Sequence, residues 1–290
     1  MKQAQVRLLA SKHLDFQRWD KAVRRAPYGL TWWLDAVTGG QWYGLILDDY
    51  RVVMPLPVSR TLGPLKLING APFTQHQGPF GDYDDEDVTI MINAVPSYWY
   101  VRKLSLYPPP AGLTGIRKIK LAPRTNHELS LQPDYEKLVR GYRGNLRRKL
   151  RDFPATELQN LPLTSFLEFY RKHVGSKFKL EKADFKTLQR LTTSILSHEA
   201  GNCYHLTDNK GETIAAVCLV HHGNRIFNLL AASSPQGFEL HGMTRLLDGI
   251  IRTYAGTDTV LDFEGSDLPG IALFFRGFGA KPVGYWQLGR

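Results

Sequence analysis

IFNLLAAS (226–233), SPQGFELHG (234–242), MTRLLDGIIRTYAG (243–256), TVLDFEGS (259–266), LPGIALFFRGFG (268–279) and PVGYWQL (282–288) follow one another in the last quarter of the chain. Short β-branched or apolar runs alternate with Gly- and Pro-marked loops and with runs of helical period. The stretch therefore reads as strand, loop, helix, strand, loop, helix, strand. This order places two loops at the C-terminal ends of neighbouring strands, where open α/β sheets bind their ligands.

Working back from there, GNCYHLTD, ETIAAVCLVHH and RIFNLLAAS are joined by Asn209-Lys210-Gly211 and Gly223-Asn224, a meander of three strands over 202–233. Helices are expected at 162–174 and 183–199. Tyr135, Leu138, Tyr142, Leu146, Leu150 and Phe153 make one apolar stripe, which predicts a single helix of about five turns from Asp134. Gly141 and Gly144 would then lie inside it, at about 1 kcal/mol each.

The first part of the chain has a similar element order. Helices are expected at 14–26 and 31–38, a hairpin over 41–60 with Asp48-Asp49 at its turn, and an irregular, surface-lying segment over 60–82. The acidic run DYDDED suits the positive end of a helix over 86–96. A strand over 98–107, the stiff turn YPPPAG and further strands in IRKIKLAPRTNHELSL complete it. Two like-ordered halves predict a structural duplication with domains 1–128 and 129–290, and 290 residues lie near the upper limit for a single core.

Composition excludes several classes. At 43% hydrophobic and 22% charged residues the chain is an ordinary globular protein. Every apolar run is broken by charge, Gly or Pro before it could span a bilayer. The N-terminal residues lack the apolar core of a secretion signal, so a cytoplasmic location is expected. Two cysteines, Cys203 and Cys218, cannot make a disulfide framework and have no metal-ligand spacing. The net charge of +10 divides evenly between the halves and favours anionic ligands, phosphates or RNA, as readily as simple solubility.

The second half resembles the Fem-like branch of the GNAT (Gcn5-related N-acetyltransferase) superfamily. The resemblance lies in Tyr142-Arg143-Gly144-Asn145-Leu146-Arg147-Arg148, in the strand ending Ala231-Ala232-Ser233, and in Leu261-Asp262-Phe263-Glu264-Gly265. Its most specific part is the run Gly270 to Gly279 followed by Pro282 and Tyr285. It covers 135–290; over 1–125 it rests on element order. It implies an α+β fold of two tandem GNAT-like domains, each a mixed, mostly antiparallel sheet flanked by helices. It also implies acyl transfer from a thioester or an aminoacyl ester to an amine.

Under that resemblance the donor is acetyl-CoA or another acyl-CoA, held at the loop before a helix N-terminus. Gly237, His241, Gly242 and Met243 occupy this loop, without the family's usual glycine spacing and with Glu239 close by. Leu230, Ala231 and Ala232 would lie along the donor, with a bulge or splay exposing a backbone N–H. Asp262 and Glu264, on one face if the strand alternates to its end, are the candidate acid–base pair, or else counter-charges for the amine. Members often carry a tyrosine on the next helix as acid for the thiolate; Phe274 and Phe275 stand there, and Tyr285 is the nearest tyrosine in sequence.

Arg143 and Arg147, with Arg151, form a basic stripe suited to an anionic substrate or an RNA acceptor stem, or to plain solvation. His76 and Gln77, in a Gly/Pro-rich loop, would line a cleft or lie at the surface. No metal is expected. Three readings stay open: an acyl-CoA-dependent N-acyltransferase, a Fem-type transferase using aminoacyl-tRNA on a cell-wall precursor, and a tandem-GNAT binding protein without catalysis.

Overall fold

The computed structural model describes residues 5–107, 120–175, 180–265 and 268–289. The turn expected over 107–112 lies largely outside them, as do Ser266 and Asp267. The chain divides into two compact units, 1–125 with 284–290, and 126–283. The last residues thus group with the first unit rather than with the second half.

The first unit runs β1 (Val6–Ala10), α1 (Phe16–Ala22), α2 (Thr31–Thr38), β2 (Trp42–Leu47), β3 (Val52–Leu62), β4 (Leu65–Ile68), β5 (Phe80–Gly81), α3 (Asp85–Asn93), β6 (Tyr100–Val101) and β7 (Leu104–Leu106). Its sheet has the order β1-β2-β3-β4-β6, antiparallel except for the parallel pair β4–β6, with β5 on β3. The acidic run does what its charge suggests. Asp84 caps α3 and shares a capping box with Asp87, whose carboxylate also holds Arg51.

The second unit begins within β8 (Lys120–Ser130) and continues with α4 (Tyr135–Arg140), α5 (Gly144–Arg151), β9 (Gln159–Asn160) and α6 (Leu163–Tyr170). A π-helical turn (Arg171–Gly175) leads on to α7 (Lys182–Ser197), β10 (Gly201–Thr207), β11 (Thr213–His222) and β12 (Arg225–Ser233). Then come α8 (Pro235–Glu239), α9 (Gly242–Tyr254), β13 (Val260–Asp262) and α10 (Pro269–Gly277), and β14 (Lys281–Gly289) closes the chain. From β8 the sheet order is β8-β13-β12-β11-β10-β9, with β12–β13 the parallel pair. Each unit thus holds one strand–helix–parallel strand passage, β4–α3–β6 and β12–α9–β13, and a mixed, mostly antiparallel sheet flanked by helices.

Ala215, Val217 and Leu219 of β11 bury against Leu246, Leu247, Ile250 and Ile251 of α9. α6 and α7 also pack on β10–β12, but their buried Phe166, Leu188, Leu191 and Ile195 lie outside that cluster. The sheet is covered on both faces.

Three expectations are corrected. The stripe from Asp134 is not one helix: Gly141 caps α4, and the Arg143 N–H donates to Gly277 O at 2.9 Å, so α5 starts afresh at Gly144. Gly141 thus lies outside both helices and Gly144 is the first residue of α5, so neither sits in a helix interior; Arg143 stands at the N-cap, off the stripe of Arg147 and Arg151. Segment 60–82 is surface-lying only in part: residues 60–65 are exposed, but the stretch from His76 to Phe80 is buried. It carries β4 and β5, and His76 and Gln77 are 4% and 1% exposed. His76 stacks on Tyr107 and meets Tyr28 and Phe80 edgewise or tilted, while Gln77 Oε1 accepts the Ser105 N–H. Aromatic packing pulls this loop inward. The expected strand 98–107 is two short strands, interrupted at Arg102-Lys103.

Candidate functional site

β12 and β13 stay together for only three rungs, Arg225 with Val260, Ile226 with Leu261, and Phe227 with Asp262. β13 then ends, while β12 runs on to Ser233, and among the described residues no strand pairs with its edge on that side. Alternate N–H and C=O groups of an unpaired edge are available to an extended ligand.

A bulge changes what this edge presents. Cys218 faces Leu230 but Leu219 faces Asn228, so Leu229 is an extra residue. One extra residue inverts the alternation beyond it. Ile226, Asn228, Ala231 and Ser233 consequently share the α9 side of the sheet, opposite His221, Leu219, Val217 and Ala215. Leu230 turns to the other face, against Cys218.

A cavity of about 470 Å³ opens at the parted strands. Asn228, Ala231, Ala232 and Ser233 form one wall, Gly270, Ile271, Phe274 and Phe275 of α10 another. Gly237, Phe238, His241, Met243, Thr244 and Leu247 close one end, and Lys149, His173 and Val174 complete the lining. The volume lies within the usual range for a small-molecule site.

The α8–α9 junction is shaped by backbone chemistry. Ser234 caps α8 by accepting the Gly237 N–H. A Cβ on Gly237 would come within 2.0 Å of Ile214 O, so only glycine lets α8 sit this close to β11. His241 adopts φ +52°, turning the chain into α9, which has no side-chain cap and no acid in its first turn. The first N–H groups of α9 therefore have no intrahelical partner and carry the positive end of the dipole. Burial, then Lys149, holds the His241 imidazole below its ordinary value; burial, then Lys172, does the same for His173.

Of the sequence-read residues, Ala231, Ala232, Gly237, His241 and Met243 line this cavity. Gly242 is buried beside it against Ala215. Leu230, Asp262 and Glu264 are not part of the lining. Asp262 is 3% exposed and committed within the fold. Its carboxylate accepts from Asn126 Nδ2 at 3.0 Å, Arg225 at 2.8 Å and the Glu264 N–H at 2.8 Å. Burial raises its pKa while Arg225 pulls the other way. Arg225 also pairs with Glu128 at 2.8 Å. Because β13 ends at Asp262 and Glu264 takes φ +62°, strand alternation does not carry to Glu264.

Arg143 and Arg147 are exposed and off the lining, whereas Lys149 of the same helix is on it. His76 and Gln77 belong to the first unit's interior. Tyr285 is half-buried in the segment that groups with the first unit. Among the described residues no cluster of His, Cys, Asp and Glu could hold a metal ion, and no helix is long and apolar enough to cross a membrane.

Sequence reading missed Asn228, His173 and Lys149. A signal existed for Asn228, a lone amide in the apolar run IFNLLAA; none existed for His173, which reaches the wall through a π-helical turn.

No protein-family model matches the sequence, and no curated protein does. Solved structures do match in fold. FemX superposes with a TM-score of 0.68 at 13% identity, over 97% of this chain and 96% of that one. A conserved protein of unknown function from Bacteroides thetaiotaomicron VPI-5482 gives 0.59 at 8% identity, over 98% and 99%. The C-terminal domain of a putative lysylphosphatidylglycerol synthetase from Agrobacterium fabrum gives 0.55 at 11%, over 95% and 91%. The fold is thus the one FemX has, with two units that each carry a mixed, mostly antiparallel sheet.

Proposed function

We infer that this chain, with its Fem-like tandem fold, is an acyltransferase whose second unit moves an acyl group from an acyl-CoA thioester to an amine. One observation carries the reading: β12 leaves β13 beside a cavity that ends on the uncapped N-terminus of α9. An extended pantetheine-like arm fits along the open edge at Ala231–Ser233. Its phosphates then meet the first N–H groups of α9, with Lys149 near. The small side chains of Ala231 and Ala232 permit close approach.

In the reaction the amine nitrogen attacks the thioester carbonyl, an N–C bond forms and the C–S bond breaks. The thiolate leaves and is protonated, and the nitrogen gives up a proton. In this reading a backbone N–H at the bulge polarises the carbonyl. For the proton on nitrogen we assign His173 rather than Asp262. The imidazole is on the cavity wall and its pKa is held below the ordinary value by burial, whereas Asp262 is held by Arg225, Asn126 and the Glu264 N–H.

A second reading keeps the amine but changes the donor to an aminoacyl ester carried on tRNA. The likeness to FemX over nearly the whole of both chains favours it, as do the exposed cations Arg147, Arg148 and Arg151 of α5. Isothermal titration with acetyl-CoA, longer acyl-CoAs and tRNA separates the two. Micromolar binding of a CoA ester supports the first; binding of RNA alone, falling steeply with salt, supports the second.

A further inference from the structure

Asn228 is the first residue of β12 beyond the last rung with β13, and its side chain lines the cavity. It is 6% exposed, and its buried Oδ1 has no hydrogen-bond partner. Its neighbours on the same face, Ile226, Ala231 and Ser233, are apolar or small, and Leu219 lies across from it. A buried amide oxygen without a partner is a net cost to the fold. A leucine of similar size would cost nothing there. Local rules broken without an internal return mark a ligand-facing position.

The direction of the edge says which part of a ligand meets it. α9 follows the C-terminal end of β12, so a donor anchored at α9 runs from Ser233 back toward Leu229. Its reactive end then lies at the bulge, next to Asn228. An acyl carbonyl has no hydrogen to donate to Oδ1. The incoming nitrogen has.

We propose that the Asn228 carboxamide is the seat of the amine acceptor, its Oδ1 accepting an N–H and thereby aiming the nitrogen lone pair at the donor carbonyl. This rests on the acyl-transfer reading but not on the carrier, because thioester and aminoacyl ester present the same carbonyl. The acceptor class follows: an amine that keeps at least one N–H when neutral, so a primary or secondary amine and not a tertiary one.

Two measurements test it. The first needs no substrate: thermal unfolding of Asn228→Leu against wild type. Removal of the unpaired amide oxygen raises the midpoint by about 2 to 4 °C; a fall would show that the oxygen is satisfied within the fold and overturn the assignment. The second is thiol release from acetyl-CoA, or transfer from aminoacyl-tRNA, over a panel of primary amines. Asn228→Leu raises the amine KM at least tenfold and leaves the donor KM within twofold, and Asn228→Asp, which keeps an acceptor oxygen, stays near wild type in amine KM. An unchanged amine KM in Asn228→Leu overturns the proposal. A wild type inert toward both carriers defeats the acyl-transfer reading, and with it the amine assignment; a raised midpoint in that case still marks the amide as ligand-facing.

Discussion

Phe227 and Asp262 form the last rung between β12 and β13, and from that rung onward the two strands have no shared ladder. The side chains at this rung and just past it do different work. Asp262 goes into a buried ion pair with Arg225, and Asn228, one residue past Phe227, goes into the cavity.

Asp262→Asn is therefore expected to act on stability first. Removing one charge leaves Arg225, whose side chain is 11% exposed, to Glu128 alone. Breaking a buried pair costs about 3–5 kcal/mol, less here for the partner that remains. Denaturant unfolding should show a lowered midpoint with unchanged m. Loss of turnover with wild-type stability would instead return Asp262 to acid–base chemistry.

His173→Gln and Glu264→Gln separate two assignments of the base. With His173 as base, His173→Gln lowers turnover at least tenfold, within the usual 10²–10⁴ range for such groups. Glu264→Gln then stays within about threefold of wild type. The reverse pattern in steady-state kinetics would place the proton on Glu264.

The element pattern of the second half was readable because its strands are apolar and its turns carry Asn-Gly and Gly chemistry; β10, β11 and β12 fall where those signals put them. The bulge was not, because Leu229 looks like Leu230 in sequence and only cross-strand register tells them apart. The break at Gly141–Arg143 depends on the carbonyl of Gly277, far along the chain. That Asp262 lies outside the cavity lining depends on equally distant residues, since its partners are 136 and 37 residues away. Local periodicity reports faces, and it cannot report which distant side chain fills them.

Stability should depend on pH through histidine. His127, His173, His205, His221 and His241 are all held below the ordinary value, burial being the main cause in each. The folded chain thus binds fewer protons than the unfolded one once pH falls below the unfolded value of about 6.5. The stabilisation is complete above that value and is lost as pH drops through the folded-state values. Calorimetry should find a flat midpoint from pH 7 to 8 and a decline from 6.5 toward 5. A midpoint that rises over the lower range would contradict this.

Ala231→Leu fills the open edge without touching the core, since Ala231 is exposed to the cavity. Donor affinity should fall at least tenfold while the thermal midpoint moves by no more than about 2 °C. Equal donor affinity in a calorimetric titration would mean that the arm does not run along β12.

The most direct test of the parted-strand site is titration of the intact protein with acetyl-CoA, with longer acyl-CoAs and with tRNA, at two salt concentrations. Micromolar binding of a CoA ester that Ala231→Leu abolishes is the expected result. No heat with any of the three carriers would contradict an acyl-donor site between β12 and α10.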